Sequence, residues 1–148
     1  MNVRKATLSD RPLLIPLIEG YFAFYSTPFP GKSQLDALLD SVAADDSLGV
    51  HLVAEEGADL IGFASLYSCF DTLVADRILV MNDLFVAPQS RGAGVGTALL
   101  DAAREYAEKA GYVRLDWVTA DDNLDAQRFY DRHGGKRGPW ISYSLPVR

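Results

Sequence analysis

Several residue types are scarce in this sequence, and each scarcity excludes a class of protein. The chain has one cysteine, Cys69, so it has no internal disulfide and no cysteine pair for a zinc cage. Its two histidines, His51 and His133, are isolated, and no carboxylate cluster has metal-ligand spacing, so we expect no catalytic metal. The start lacks a secretion signal, and no run approaches the ~18 apolar residues of a membrane span. A cytoplasmic protein without membrane contact is the expectation.

Basic residues are also few. The 148 residues include 14 Lys and Arg against 20 Asp and Glu, a net charge of -6. The electrostatic footprint of a nucleic-acid binder is therefore missing, and cationic small molecules are the more natural partners. The hydrophobic content of 49% suits one packed core, and the length is short for two, so we predict a single domain over residues 1–148.

Strand-like and helix-like segments alternate along the chain, which predicts an α/β fold around a mixed sheet. The first helix follows a cap at Ser9 or Asp10, and Pro16 should kink or restart it. The last helix should have Asp121 or Asp122 as its cap. The predicted strands cover about 2–7, 50–55, 60–70, 78–86, 113–118 and 141–145, and the helices about 10–25, 33–44, 95–110 and 122–133. The β-α-β-α order over residues 78–133 calls for parallel pairing there.

A glycine-rich turn joins the strand at 78–86 to the next helix and reads Arg91-Gly-Ala-Gly-Val-Gly-Thr97. Glycines let backbone N–H groups approach an anion, and the first turn of a helix carries unpaired N–H donors and a partial positive charge. A phosphate or pyrophosphate can bind there, with Arg91 adding a charge-assisted contact. A plain turn that packs a helix against a sheet is the alternative. A P-loop is excluded because no lysine follows Gly96, and Leu99 is too large for a dinucleotide fingerprint.

Two motifs in order and spacing carry a family resemblance. The first is Arg-x-x-Gly-x-Gly at Arg91, Gly94 and Gly96, after a strand that ends in Leu-x-Val-x-Pro. The second is Asn123 followed by Ala126-Gln-Arg-Phe-Tyr130 and Gly134. Together they make the chain resemble the GNAT N-acetyltransferase superfamily, and the segments 61–64 and 82–86 resemble its polyamine and small-amine branch.

The resemblance implies a fold, a cofactor and a reaction. The fold would be a GNAT-like mixed, mostly antiparallel central sheet flanked by helices. The cofactor would be acetyl-CoA, with the pyrophosphate on the glycine turn and the pantetheine arm paired along a strand edge. A backbone N–H near Leu84 or Phe85 would polarise the thioester carbonyl. The implied cofactor-binding residues are Leu84, Phe85, Val86, Arg91, Gly92, Ala93, Gly94, Val95, Gly96, Thr97, Asn123 and Phe129.

The resemblance also assigns proton-transfer groups. Tyr130 would be the general acid, because the departing thiolate needs a proton and a phenol of ordinary pKa near ~10 holds one at neutral pH. Several branches of the family place a Glu where this chain has Asn82, which cannot accept the amine's proton. Asp83 is the nearest carboxylate, yet alternation puts it on the opposite face from Leu84 unless a bulge twists the strand. Direct transfer to Asp83 and transfer through water both stay open.

Acceptor selection should come from the first two helices and the loop between them. Aromatic residues there and nearby carboxylates suit a cationic amine. The candidates are Tyr21, Tyr25, Phe29 and Asp71. The reaction would be direct attack of a small primary amine on the thioester, without a covalent acetyl-enzyme. The alternatives are a CoA-binding sensor without turnover and an enzyme that acetylates lysines or N-termini of proteins. The family also makes a homodimer an expectation, with the carboxyl-terminal strand as its interface.

Overall fold

The computed structural model describes residues 1–148, which form two compact units, Met1–Trp117 and Val118–Arg148. The first unit contains all five strands and three helices. Its elements are β1 (Asn2–Lys5), α1 (Arg11–Phe24), α2 (Lys32–Ala44), β2 (Gly49–Glu56), β3 (Asp59–Asp71), β4 (Asp76–Val86), α3 (Val95–Lys109) and β5 (Leu115–Asp116). The second unit contains α4 (Leu124–Arg132). No helix is both long and apolar enough to cross a membrane. The single domain stays a prediction.

One sheet joins the strands in the order β1-β2-β3-β4-β5. The pairs β1–β2, β2–β3 and β3–β4 are antiparallel. The last strand, β5, runs parallel to β4 and pairs with it only at Leu79 and Val80. The predicted mostly antiparallel sheet with a parallel β-α-β segment is therefore confirmed.

The long helix α3 covers one face of the sheet. Its apolar stripe is buried at Val95, Leu99 and Ala103, as the i, i+4, i+8 spacing predicts. The helix comes close to the sheet at Gly62, where an added Cβ atom would lie 2.8 Å from the Phe85 carbonyl oxygen and within 3.2 Å of atoms of Val95 and Leu99. A side chain at position 62 would clash with the backbone of β4 and crowd Val95 and Leu99 of α3.

The helices α1 and α2 cover the other face. Their buried leucines pack against Val53, Phe63 and Phe85, which lie side by side on β2, β3 and β4. The leucines are Leu14, Leu17, Leu35 and Leu39. The helix α1 continues through Pro16 without a break, so the predicted restart is wrong. Proline at this position removes one hydrogen bond, and the packing of the apolar face holds the helix together across the gap.

Three other boundaries differ from the predictions. The strand expected at 113–118 is reduced to β5, and α4 begins at Leu124 with Asn123, not Asp121 or Asp122, as its cap. Residues 141–145 form no strand, although their apolar side chains alternate. The second unit contains one helix and no strand that these residues could pair with, and a lone strand is not stable in water.

Two adjacent leucines of α2 test this packing. Leu39 is 5% exposed in the core, whereas Leu38 is 43% exposed on the outer side of the helix. We expect Leu39→Ala to lower the free energy of unfolding by about 2–5 kcal/mol, because it removes buried methyl groups and leaves a cavity. Leu38→Ala should change it by less than about 1 kcal/mol. Urea unfolding of both variants measures the difference, and equal losses would contradict the placement of α2.

Candidate active site

The glycine turn leads from β4 into α3 with two residues of positive φ. Gly92 has φ +78° and Gly94, the N-cap residue, has φ +81°, a region that residues with a Cβ atom rarely adopt. The first helical hydrogen bond runs from the Ala98 N–H to the Gly94 carbonyl at 3.0 Å. The N–H groups of Val95 and Gly96 therefore point out of the helix end, and no acidic residue lies in this first turn. The geometry is that of an anion site.

Arg91 folds back onto the strand end. Its Nε donates to the Val86 carbonyl oxygen at 3.1 Å, and its guanidinium lies 5.2 Å from the ring centre of Phe24 and 5.7 Å from that of Phe85. These distances fit cation-π contacts. The side chain thus ties α1, β4 and the glycine turn together, which the sequence did not predict. Its predicted contact with a phosphate stays a prediction.

A β-bulge divides β4 at Asn82. Ser65 pairs with Asp83 and Leu66 with Met81, which leaves the exposed Asn82 without an opposite residue. Beyond the bulge, Asp83 shares the α1/α2 face of the sheet with Phe85, while Leu84 lies on the α3 face. The bulge thus does not turn Asp83 to the face of Leu84.

The edge of β4 beyond the bulge is open. The Ala87 N–H donates to the Ile61 carbonyl at 2.9 Å. Because backbone groups alternate in direction along a strand, those of Ala87, Phe85 and Asp83 point toward β3. Those of Leu84 and Val86 therefore point the other way, where β5 has already ended. Two of the predicted cofactor-binding residues, Leu84 and Val86, thus present backbone groups at an edge that a further extended chain can join, whereas the backbone of Phe85 faces β3.

Four polar side chains lie together on the α1/α2 face. His51, Ser65 and Asp83 occupy opposite positions on β2, β3 and β4, and Tyr67 follows Ser65 on the same face of β3. The His51 Nε2 lies 3.1 Å from the Tyr67 hydroxyl oxygen. Burial lowers the pKa of His51 to about 4, and burial raises the pKa of Tyr67 to about 12. Both groups are therefore neutral at pH 7.

The predicted acceptor residues separate into two places. Tyr21 contacts Phe85 edge-on, with ring centres 6.0 Å apart, and Tyr25 lies 5.1 Å from Tyr21. Phe29 joins the same aromatic cluster through Phe22. Asp71, in contrast, lies at the far end of β3, beside the start of β4. At ~3.3 Å per residue, the start of β4 beside Asp71 lies about 33 Å from the end of β4 that leads to the glycine turn.

Asp71 also has a partner of its own. Its carboxylate pairs with Arg114 at 2.5 Å, and Arg114 also contacts Asp116 on β5. The hydrogen bond from Arg114 lowers the pKa of Asp71. The structure therefore places Asp71 in an ion pair at the opposite end of the sheet from the other candidates.

The remaining predicted residues lie in the second unit. The Asn123 Oδ1 accepts a hydrogen bond from the Ala126 N–H at 3.1 Å and so caps α4. Phe129 and Tyr130 are half-buried on α4, with ring centres 5.3 Å apart, and His133 packs against Phe129 at 4.3 Å. These residues share one short helix and its cap.

Sequence reasoning missed the polar group on the α1/α2 face. It treated His51 as isolated, but its partner Tyr67 is 16 residues away in the chain and adjacent across the β2–β3 pair. A signal was present, because His51 and Ser65 interrupt apolar strands at positions that a hairpin brings opposite each other. No group of three or more metal-binding side chains is assembled, and the absence of a catalytic metal stays a prediction.

Comparison with known proteins agrees with this geometry. The chain matches the model of the acetyltransferase (GNAT) family over residues 15–135. It is 36% identical over 151 residues to YhfO, an uncharacterized N-acetyltransferase of Bacillus subtilis strain 168, covering 99% of this chain and 98% of that protein. It is 34% identical over 111 residues to the aminoalkylphosphonate N-acetyltransferase of Salmonella typhimurium strain LT2, covering 72% and 71% of the two chains.

A solved structure extends the comparison to the fold. The crystal structure of a probable acetyltransferase superposes with a TM-score of 0.86 at 29% identity, covering 100% of this chain and 99% of that one. The family uses acetyl-CoA as its acetyl donor, which fits the anion site at Gly94 and the open edge of β4. The chain is therefore a member of the GNAT family of acetyl-CoA-dependent N-acetyltransferases.

Proposed function

We propose that this protein transfers the acetyl group of acetyl-CoA directly to the primary amine of a small molecule. One observation carries the proposal: the open backbone edge, which includes the Leu84 groups and the Val86 N–H, lies shortly before the anion site of the glycine turn. The two features suit the two chemically different parts of acetyl-CoA, an amide-bearing arm and a pyrophosphate. The reacting thioester is then held at the edge of β4.

The backbone supplies most of the cofactor site in this proposal. The N–H groups from Gly92 to Thr97 bind the pyrophosphate, and Arg91 keeps the turn against Phe85. Leu84, rather than Phe85, points its N–H toward the open edge, so the Leu84 N–H is the donor for the thioester carbonyl. A donor of this kind stabilises the transition state by roughly 2.7–4 kcal/mol.

The second unit contributes the acid. Tyr130 protonates the departing CoA thiolate, since a phenol retains its proton at neutral pH. Asn123 and Phe129, on the same helix and its cap, bind the CoA arm. The family motif that spans Asn123 to Gly134 supports these roles.

The acceptor amine binds on the α1/α2 face. Tyr21, Tyr25 and Phe29 provide aromatic surface for a cation there, and Asp83 takes the proton that the amine must lose. A cleft of about 680 Å³ opens beside Phe85 on the side of Ala87, away from Asp83, and has room for a small molecule. The name of the relative that acetylates aminoalkylphosphonates also favours a small amine. We leave Asp71 out of the site because Arg114 engages it at the far end of β4.

A cytoplasmic location and a homodimer stay predictions, and so does acceptance of amines of the polyamine branch in particular.

Released thiol, measured against polyamines, aminophosphonates, aminoglycosides and lysine peptides, identifies the acceptor class. Turnover restricted to peptides would favour a protein acetyltransferase, and CoA binding without any turnover would favour a sensor.

Gly94→Ala tests the anion site. The substitution puts a Cβ atom on a residue with φ +81°, a backbone strain of about 1–2 kcal/mol, and moves the N–H groups of the turn. We expect the Kd of CoA, measured by calorimetry, to rise about 10-fold. The control is Gly57→Ala, which has a similar strain at φ +62° in the β2–β3 turn and should leave CoA affinity unchanged. Equal affinities for the two variants would contradict the site.

Tyr130→Phe tests the general acid. Removing the hydroxyl should lower kcat about 100-fold, within the range of general acid catalysis, and leave the Kd of CoA within about twofold. Tyr143→Phe, at a side chain that is 90% exposed in the same unit, is the matched control and should retain full turnover. Parallel loss of kcat and CoA affinity in Tyr130→Phe would assign the hydroxyl to cofactor binding instead.

A further inference from the structure

The side chains around the start of the glycine turn form a closed ring of contacts, which we call the Arg91 cluster. Its members, in order, are Arg91, Phe85, Tyr21, Tyr25 and Phe24. The Arg91 guanidinium lies 5.7 Å from the Phe85 ring centre and 5.2 Å from that of Phe24. Between these two, successive ring centres are 6.0, 5.1 and 5.0 Å apart and the rings meet edge-on. The cluster thus joins the turn, the end of β4 and the end of α1.

The part of the cluster on α1 is open to water. Phe85 is buried on β4, whereas Phe24 is 51% exposed and Tyr25 41% exposed at the end of the helix. The Phe24 ring contacts Tyr25, its neighbour in the chain, and Arg91, which precedes the glycines of the turn. Arg91 is therefore the charged partner that holds this exposed ring from outside α1.

The end of α1 needs contacts of this kind because its backbone is strained. Ser26 has φ +49°, and the N–H groups of Ser26 and Thr27 donate to the carbonyls of Ala23 and Phe22 at 3.1 and 2.9 Å. The pattern is a Schellman motif, in which glycine is the usual residue of positive φ. Serine adopts this conformation at a cost, so surrounding contacts must maintain it. Tyr25, which the proposed function places in the acceptor surface, directly precedes the strained residue.

Arg91 can hold Phe24 and a phosphate at the same time. A guanidinium stacks on rings through its faces and donates hydrogen bonds from its edges. The Arg91 Nε donates to the Val86 carbonyl oxygen at 3.1 Å, which anchors the group beside the turn and leaves both Nη groups for an anion. The N–H groups that follow Gly94 form the anion site next to it in the chain.

Two contacts that order the same side chain strengthen each other. A free arginine side chain has many rotamers, and fixing it costs conformational entropy. Once a phosphate has fixed Arg91, the Phe24 ring packs against an ordered partner, and this entropy is not lost a second time. The reverse also holds, because coupling between two binding events is reciprocal. Binding of a pyrophosphate at the turn should therefore stabilise the end of α1.

We propose that Arg91 and Phe24 couple the two substrate sites: the cofactor pyrophosphate fixes Arg91, Arg91 holds Phe24, and the end of α1 is thereby positioned for the acceptor amine. Phe24 is a positioning residue in this inference, because it acts through Arg91 and touches neither the cofactor nor the reacting atoms. The inference rests on the proposed acetyl transfer, which takes the glycine turn as the pyrophosphate site. No covalent bond forms or breaks in the coupling.

Hydrogen exchange at the end of α1, with CoA as the probe, tests the coupling without any acceptor. The amides of Ser26 and Thr27 are hydrogen-bonded in the closed helix end and exchange when it opens. In the unmodified chain, saturating CoA should slow their exchange about 5-fold, the factor that corresponds to one exposed cation-π contact.

Phe24→Leu removes the ring and keeps an apolar side chain of good helix propensity. CoA should still bind, with a Kd raised by about 2–5-fold, but it should no longer slow exchange at Ser26 and Thr27. Phe24→Tyr keeps an aromatic face and should keep the CoA effect. A merely structural role of Phe24 would speed exchange by the same factor with and without CoA, and would leave the CoA effect in place.

Two further variants complete the experiment. Phe70→Leu is the matched control, because Phe70 is 81% exposed at the far end of β3 and lies outside the Arg91 cluster. It should change neither the Kd of CoA nor the CoA effect on α1. Arg91→Met removes the charge from the other side of the contact, and at saturating CoA it should abolish the effect as completely as Phe24→Leu. The double variant should then behave like Arg91→Met alone.

The outcomes distinguish this inference from the proposed function. If CoA binds the unmodified chain but leaves exchange at Ser26 and Thr27 unchanged, or slows it equally in Phe24→Leu, the coupling is wrong and acetyl transfer stands. If CoA does not bind the unmodified chain, the proposed function and the coupling are both overturned. Exchange that CoA slows in the unmodified chain, in Phe24→Tyr and in Phe70→Leu, but not in Phe24→Leu, supports the coupling.

Discussion

The antiparallel pairing of β3 with β4, interrupted once at Asn82, is the constraint on which the site depends. Side chains alternate between the two faces of a strand, so one unpaired residue decides which of its neighbours face the helices α1 and α2. Here the bulge leaves Asp83 and Phe85 on that face and Met81 on the other. The same ladder directs the backbone of Leu84 and Val86 to the open edge. The register of β4 against β3 therefore sets the positions of both the carboxylate and the N–H donor of the proposed reaction.

In the proposed cofactor site, backbone groups do most of the binding, so a chain with a net charge of -6 can still accept a polyanion. The first turn of α3 offers N–H donors and no carboxylate, and Gly92 and Gly94 give these donors the required direction. Arg91 is occupied with Val86 and two aromatic rings, so its contribution is to the shape of the turn as well as to charge. Local geometry, not net charge, determines whether such a protein accepts an anion.

Much of the fold and of the candidate site could be predicted from the sequence because the relevant signals are local. The periodic stripe predicted α3 at 95–110, and the structure has it at Val95–Lys109. The glycine spacing and the Asn123 to Gly134 motif identified the family that the comparison shows. A helix and a glycine turn depend on neighbours a few residues away, and those neighbours are visible in the sequence.

What the sequence did not predict depends on pairs of residues that are distant in the chain. The bulge at Asn82 arises from register against β3, and the bond between His51 and Tyr67 forms only when β2 and β3 align. The alternation at 141–145 predicted a strand, but alternation cannot supply a partner strand, and none is present in the second unit. Asp71 was predicted as an acceptor-binding residue because of its charge. Its position at the end of β3, where it pairs with Arg114, follows from the pairing of the strands.

The close approach of α3 at Gly62 has a consequence for the cofactor. The close contacts of that glycine with Val95 and Leu99 of α3 hold the start of the helix near the sheet. In the proposed reaction one molecule is gripped at both points, by its pyrophosphate and by its thioester. In that proposal the interval between the two points measures molecular length, so a carrier whose arm matches it fits better than a shorter or longer one.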